Sequence, residues 1–313
     1  MADEGRYHPS QEQLAIAGAL DSALTALLPL SRLHAAAEET AEVWAELDAL
    51  GVFGLCLSEA RGGSGLGAAE EALIVMTLGR QLAAPGVLAA IGAVHSGMAI
   101  EGGAQRVAAA YRHGDKVVLV DEPDAQLILL RDGCGAVLHR AGPSSRPIDD
   151  RYWLGRLRGV VTLGEKLAAF TPDALLRLRL IDAAALAGIG QAAVDMAVAY
   201  AKMREQFGRP IGSFQAVKHH CANMAIAATC ARDQVSFASV AVDDRRGDAA
   251  LQVESALLVA GSAAIENAGK NIQIHGGMGF SDEADPHLFL KRAQLLVTIA
   301  GGMEAATARV ADI

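Results

Sequence analysis

From residue 10 to about residue 110 the apolar positions recur at helical spacing. Ser10 and Gln13 have the spacing of a capping box, and Leu14, Ile16, Ala17 and Leu20 then share one face. A second helix is expected over 38–50, with Ala41, Trp44, Leu47 and Leu50 as its apolar stripe and Gly51 as its stop. A third is expected over 70–82, ended by Pro85. The period changes after residue 110. KVVLVDE at 116–122, QLILLRD at 126–132, GAVLHRA at 135–141 and RGVVTLG at 158–164 read as four short strands of a small sheet. Helical spacing returns near residue 172. It predicts long helices over 173–206, 213–243 and 249–267, then a glycine loop at 273–280. Shorter helices at 287–293 and 305–311 follow. Long helices with short connections suggest a four-helix bundle. The expected layout is mainly α, in three parts: a helical domain over 1–110, a shortened β-domain over 111–171 and a C-terminal helical bundle over 172–313. No internal repeat is visible.

Composition narrows the function classes. The 313 residues are 52% hydrophobic, 20% charged and only 4% aromatic, with a formal net charge of -9. The apolar content excludes a disordered chain. The net negative charge argues against a nucleic-acid partner. Cys56, Cys134, Cys221 and Cys230 form no CxxC pair, so no zinc site and no disulfide framework is expected. They suit a reducing cytoplasm. The polar segment Met1 to Gln11 does not read as a signal peptide. The apolar stretches look interrupted before the ~20 residues of a membrane span, so no membrane association is expected.

Several features have bland readings. His219 and His220 are adjacent on a helix and point to different faces, which makes a poor metal pair. GGSGLG at 62–67 superficially fits a dinucleotide fingerprint, but it follows no strand and reads as a turn. Met203, Met224 and Met278 read as packing residues, and Glu254 and Glu266 as solvated or paired.

Two segments carry a more specific signal: MREQFGRPIGSFQ at 203–215 and QIHGGMGF at 273–280. Arg204 offers a planar fork suited to a pyrophosphate. Phe207 can pack on a flat ring. Gln215 and Gln273 supply amides, and Gly276 and Gly277 let the backbone approach a ligand. Other roles stay open: a helix-dipole partner for Arg204, core packing for Phe207, a cap for Gln273 and a plain turn for the glycines.

As a pair at this spacing, the two segments resemble the acyl-CoA dehydrogenase family. WAELDALGVFGLCLSEARGGSGLG at 44–67 resembles its first helical domain. The resemblance covers nearly the whole chain and implies a helical, sheet, helical fold. It also implies that Arg204, Phe207, Gln215, Gln273, Gly276 and Gly277 hold the adenosine-pyrophosphate half of FAD, and do so for the neighbouring subunit's flavin.

The family's reaction removes an α-proton from an acyl-CoA thioester while hydride leaves for the flavin, so a carboxylate base must touch the acidic carbon. Of the family's two base positions, one falls here on Gly301 and the other on Leu178. Neither side chain accepts a proton. Glu304 lies three residues past Gly301, and Asp173 and Asp182 flank Leu178. A one-turn shift moves a group ~5 Å, too far for contact. The flavin-embracing segments of the middle domain are not found, and Trp153 sits too late for that role. The chain thus resembles the non-catalytic member of the heterotetrameric acyl-CoA dehydrogenases of actinobacterial steroid catabolism, where unlike chains share one FAD. That implies an α2β2 assembly with a full-length catalytic partner and a bulky, steroid-derived acyl-CoA substrate. An electron-transfer flavoprotein-type acceptor is compatible. The rival readings are a homo-oligomeric enzyme whose base is Glu304 or Asp182, and an FAD-free acyl-CoA-binding or scaffold protein.

Overall fold

A computed structural model describes residues 8–34, 39–98, 105–120, 125–132, 135–146 and 157–313. Trp153 and Cys134 lie outside the described residues. The N-terminal helices are α1 (Gln11–Leu27), α2 (Ala41–Ala49), α3 (Ala68–Arg80) and α4 (Pro85–Val94). Ser10 caps α1 with the expected capping box: its hydroxyl accepts from Gln13 N, and the Gln13 side chain accepts from Ser10 N at 2.8 Å. Thr40 caps α2, and Gly51 takes the left-handed conformation after it, φ 75°. Pro85 is the first residue of α4, where its missing N–H costs nothing.

Among the described residues five strands follow, where four were expected: β1 (Val107–His113), β2 (Lys116–Val120), β3 (Leu127–Asp132), β4 (Gly135–Arg146) and β5 (Leu157–Ala169). They close into a barrel in the order β1-β2-β5-β4-β3, antiparallel throughout except for the parallel β1–β3 pair. The extra strand, VAAAYRH, carries three consecutive alanines and so reads as helix by propensity. Pairing on both edges and burial of Ala108 to Ala110 override that preference.

The C-terminal part contains α5 (Pro172–Met203), α6 (Gln215–Asp243), α7 (Ala249–His275), α8 (Pro286–Ile299) and α9 (Met303–Ala311). Helix α7 runs eight residues past the expected stop at Asn267. The Asn267 side chain turns into the bundle instead, donating to Gly190 O at 3.2 Å and Met224 O at 3.0 Å. Helix α5 is the spine of the molecule, with Leu180 to Gly190 continuously buried. At its crossing with α3, a Cβ on Gly188 would overlap the Met76 carbonyl, and one on Gly79 would overlap Ala185. Only glycine permits so close a backbone approach.

The membrane expectation needs correction. Gln11–His34, Pro172–Met203 and Ala249–Phe280 are each long and apolar enough to cross a membrane by length and composition. In Pro172–Met203, 72% of the apolar window is buried inside the protein, which is the signature of an alanine-rich bundle core.

Candidate functional site

The antiparallel run of α5, α6 and α7 brings three helix ends together: the C-terminus of α5, the N-terminus of α6 and the C-terminus of α7. Arg204 leaves α5 in an extended conformation, and its carbonyl accepts from Ile211 N at 2.8 Å. Between them lies a short hairpin, β6 (Glu205–Gln206) paired with β7 (Arg209–Pro210). The expected helix to residue 206 therefore stops at Met203. The hairpin turn has two left-handed residues, Phe207 at φ 53° and Gly208 at φ 74°. Glycine accepts that conformation freely, whereas a bulky L-residue pays about 1–2 kcal/mol. Nothing in the core offsets this cost, because Phe207 is 94% exposed. Backbone strain of this kind clusters at active sites, ligand clamps and switch regions.

The remaining candidates lie on the same three helix ends. Phe214 meets Phe207 edge-on at 6.2 Å, and the Arg209 guanidinium lies over the Phe214 ring at 4.2 Å. Arg209 was not singled out from the sequence, although it sits inside the same motif. Gln215 opens α6 and is exposed. Gln273 is exposed near the end of α7, and its Oε1 accepts from Lys270 Nζ at 3.0 Å. Gly276 has φ 62°, and a Cβ on Gly276 or Gly277 would meet nothing within 4 Å. His275 stacks on Tyr200 at 4.0 Å and tethers the end of α7 to the end of α5. Its Nδ1 lies 2.8 Å from the Asn271 carbonyl, so Nδ1 carries the proton, and burial holds its pKa below the ordinary histidine value. Met203, Met278 and Phe280 are 74%, 56% and 75% exposed, so Met203 and Met278 are surface residues rather than packing residues. Met224 is buried as expected. One bundle end thus presents a cation, an exposed ring, two amides and bare backbone, a donor set that fits the phosphate-bearing half of a dinucleotide.

The second region is the junction of barrel and helices. Gly301 has φ 98° in the α8–α9 link and offers no side chain. Leu178 is 2% exposed and packs so closely that a Cβ on Gly92 would overlap it. Beside it is a cavity of about 20 Å³, whose lining includes Leu129, Arg131, Leu178, Asp182 and Ile299. That is room for about one water. Arg131 donates to Asp182 at 2.8 Å, and both side chains are under a tenth exposed. Burial raises the Asp182 pKa and outweighs the opposing pull of Arg131. Asp182 therefore shares the cavity with Leu178, closer than one turn of separation suggested. Glu304 is exposed in the first turn of α9, a favourable place for a carboxylate in its own right. Glu254 is buried and paired with Arg179 at 2.7 Å and Arg309 at 2.9 Å.

One buried cluster had no sequence signal, because its members are scattered over almost two hundred positions. Glu71 receives His95 Nε2 at 2.9 Å and Arg177 at 3.0 Å. Arg177 also reaches the Cys56 sulfur at 2.7 Å. Asp243 accepts from Ala68 N at 2.6 Å and Ala69 N at 3.0 Å, which occupies the start of α3. The loop at 62–67 therefore delivers a helix N-terminus to a carboxylate of its own chain, in line with the turn reading. Burial pushes Glu71 up, but His95 and Arg177 outweigh it and hold its carboxyl below the usual range. Burial, reinforced by Glu71, pushes the Cys56 thiol far above its ordinary value. Cys56, Glu71 and His95 are spaced as metal ligands could be. The Arg177 guanidinium already supplies the positive charge between them.

Comparison with known proteins bears on this geometry. Residues 170–312 match "Acyl-CoA dehydrogenase, C-terminal domain" and residues 10–110 match "Acyl-CoA dehydrogenase, N-terminal domain". The acyl-CoA dehydrogenase FadE34 of Mycobacterium tuberculosis is 33% identical over 296 residues, covering 83% of this chain and 40% of FadE34. The acyl-CoA dehydrogenase IpdE2 of the same organism is 30% identical over 259 residues, covering 78% of this chain and 77% of IpdE2. The chain thus spans less than half of the length of FadE34. Among solved structures, a chain of the Tcur3481-Tcur3483 steroid ACAD G363A variant superposes with a TM-score of 0.80. It is 24% identical and covers 96% of this chain and 97% of that one. A chain of the ChsE4-ChsE5 complex from Mycobacterium tuberculosis gives 0.77 at 22% identity, covering 98% of each. The fold is the acyl-CoA dehydrogenase fold, and by its sequence the chain belongs to the acyl-CoA dehydrogenase family.

Proposed function

We propose that this chain is the non-catalytic subunit of a heteromeric, FAD-dependent acyl-CoA dehydrogenase. Its contribution is half of a cofactor site, offered to a related catalytic chain. The carrying observation is the contrast within one molecule. The bundle end keeps a strained, exposed Phe207 beside Arg204, while the space beside Leu178 is a cavity that holds about one water.

The residues present fit the pyrophosphate and adenosine end of FAD. Arg204 would grip the pyrophosphate through paired N–H groups, and Phe207 would lie on a ring. Gln215 and Gln273 would donate or accept at the same end, and Gly276 and Gly277 would leave the backbone open to it. When bound, the cofactor supplies the hydride acceptor for α,β-dehydrogenation of an acyl-CoA thioester. No residue of this chain moves the proton in this reading; the base belongs to the partner.

The comparisons supply the rest of the support. One similar structure is described as a steroid ACAD, and that structure and the ChsE4-ChsE5 complex each pair two different chains. The matched part of FadE34 is 40% of it, which leaves more than a further chain of this size. Exposed Met203, Met278 and Phe280 give the bundle end the apolar character of an interface. A bulky, steroid-derived acyl group, an α2β2 stoichiometry and the three domains 1–110, 111–171 and 172–313 complete the proposal. A ligand held between chains also holds the chains together, by about 2.7 kcal/mol at a hundredfold excess over Kd.

A second reading has one observation in its favour. Asp182 lines the cavity beside Leu178, and burial raises its pKa as a base would need. In that reading the lone chain is active and Asp182→Asn abolishes the activity. The two readings separate on one preparation: the lone chain, tested for bound flavin and acyl-CoA oxidation, against the complex with its catalytic partner.

A further inference from the structure

The link from the Gly276–Phe280 segment to α8 reads SDEAD at 281–285, with carboxylates at Asp282, Glu283 and Asp285. It faces the helical turn Leu30–His34 of the N-terminal domain. Both sides of this contact are fixed independently. Arg32 donates from Nη1 to Gln81 O at 2.9 Å, and from Nη2 to Leu82 O at 3.0 Å and Glu39 at 2.9 Å. Arg292 of α8 donates to Ala83 O. The Leu30–His34 turn and α8 are thus both fastened to residues 81–83, just past the end of α3. His34 joins the turn to the link that leads into α8.

It does so with both ring nitrogens. Nδ1 lies 2.9 Å from the Asp282 carbonyl oxygen, and Nε2 lies 2.6 Å from Asp285 Oδ1. A carbonyl oxygen and an ionised carboxylate oxygen only accept hydrogen bonds. Two acceptors need two donors, and histidine carries two N–H groups only as the imidazolium. A neutral ring would turn a lone pair toward one of these oxygens. The neighbouring basic groups are held differently. Burial keeps His287 of α8 below the ordinary histidine value, helped by Lys291 and His34 and opposed by Asp282. Burial likewise lowers Lys291, against the pull of Asp282. It lowers His275 as well, against the Asn271 carbonyl and Asp285. The Ser281 hydroxyl donates to Glu283. The surroundings of His287, His275 and Lys291 therefore disfavour charge, whereas the two bonds of His34 require it.

We propose that His34 is a pH-sensitive clasp: as an imidazolium it pins residues 276–285 to the N-terminal helices, and as a neutral ring it keeps one bond and releases the other. Histidine changes charge between about pH 5 and pH 8. The clasp is complete at the acid end of that range and weakens as pH rises through it. The segment it holds carries Gly276, Gly277 and the exposed Met278 and Phe280, so the presentation of the bundle end follows the charge of one side chain in another domain. The clasp belongs to the single chain and does not depend on the shared-FAD reading.

The test is amide hydrogen exchange over residues 276–288 of the full chain at about pH 6 and about pH 8, corrected for intrinsic rates. Its reporters include Ser281 N–H, which donates to Met278 O at 3.2 Å, and Ala284 N–H, which donates to Ser281 O at 3.1 Å. Exchange about fivefold faster at the higher pH is expected, the scale of one lost hydrogen bond. His34→Ala should exchange fast at both pH values. Asp285→Asn should exchange slowly at both, because its amide can donate to Nε2 of a neutral ring while Nδ1–H keeps the Asp282 carbonyl. The Asp285 side chain makes no capping bond to α8, so this variant leaves the helix start intact. Wild-type exchange that does not change with pH overturns the proposal. A pH dependence that survives in His34→Ala also overturns it, and moves the titration to His287, His275 or Lys291.

Discussion

Replacing Phe207 with Asn separates binding from stability. Phe207 sits at φ 53° in a two-residue turn followed by Gly208 at φ 74°. Asn-Gly is the preferred pair for such a turn, because asparagine tolerates the left-handed region. The strain relieved is about 1 kcal/mol. The packing lost is small, because the side chain is 94% exposed and touches Phe214 only edge-on at 6.2 Å. The lone chain should therefore gain about 1 kcal/mol, or about 2 °C in melting temperature for a chain of this size. The complex should lose ring stacking worth about 1 kcal/mol, a roughly fivefold to tenfold weaker hold on FAD. Differential scanning calorimetry of the lone chain and equilibrium dialysis of the complex read the two effects. A lone chain destabilised by more than about 1 kcal/mol would refute the reasoning, since Phe207 would then be serving the fold.

Three further outcomes follow from the buried charges. Asp182→Asn leaves Arg131 buried without its counter-ion and should cost about 3–5 kcal/mol in denaturant unfolding; a change below 1 kcal/mol would show that the pair does not hold the cavity shut. Glu71 has its pKa lowered from an ordinary 4.5, so its stabilisation is present above that pH and is lost as pH falls through the folded value. Glu71→Gln should accordingly flatten the acid limb of the stability profile below about pH 4.5, and an unchanged slope there contradicts the assigned pairing. Asp243→Asn weakens the hold on the first two N–H groups of α3 and should cost about 1 kcal/mol, read from thermal melts.

What was legible in the sequence was local or motif-borne. Ser10 with Gln13 is a capping box by spacing alone, and the amphipathic runs of α5, α6 and α7 carry their period over many turns. The strand β1 was missed because its alanines favour a helix and only pairing with β2 and β3 decides otherwise. The end of α7 was missed because Asn267 and Gly269 look like a stop, and the partner that keeps Asn267 helical lies on α5. At the bundle end the motif marks the residues by type, but the positive φ and exposure of Phe207 are three-dimensional facts. The same is true of Arg131. It reads as one charged residue in a strand, and only the barrel's docking on α5 sets it against Asp182 in the cavity beside Leu178.

The most direct measurement is flavin absorbance and acyl-CoA oxidation, recorded on the lone chain and on its co-purified complex with the catalytic partner. Expected are a colourless, inactive lone chain and a yellow, active complex with a single FAD for each unlike pair, which Arg204→Ala bleaches on dialysis. A lone chain that holds FAD stoichiometrically and oxidises an acyl-CoA would contradict the shared-site proposal.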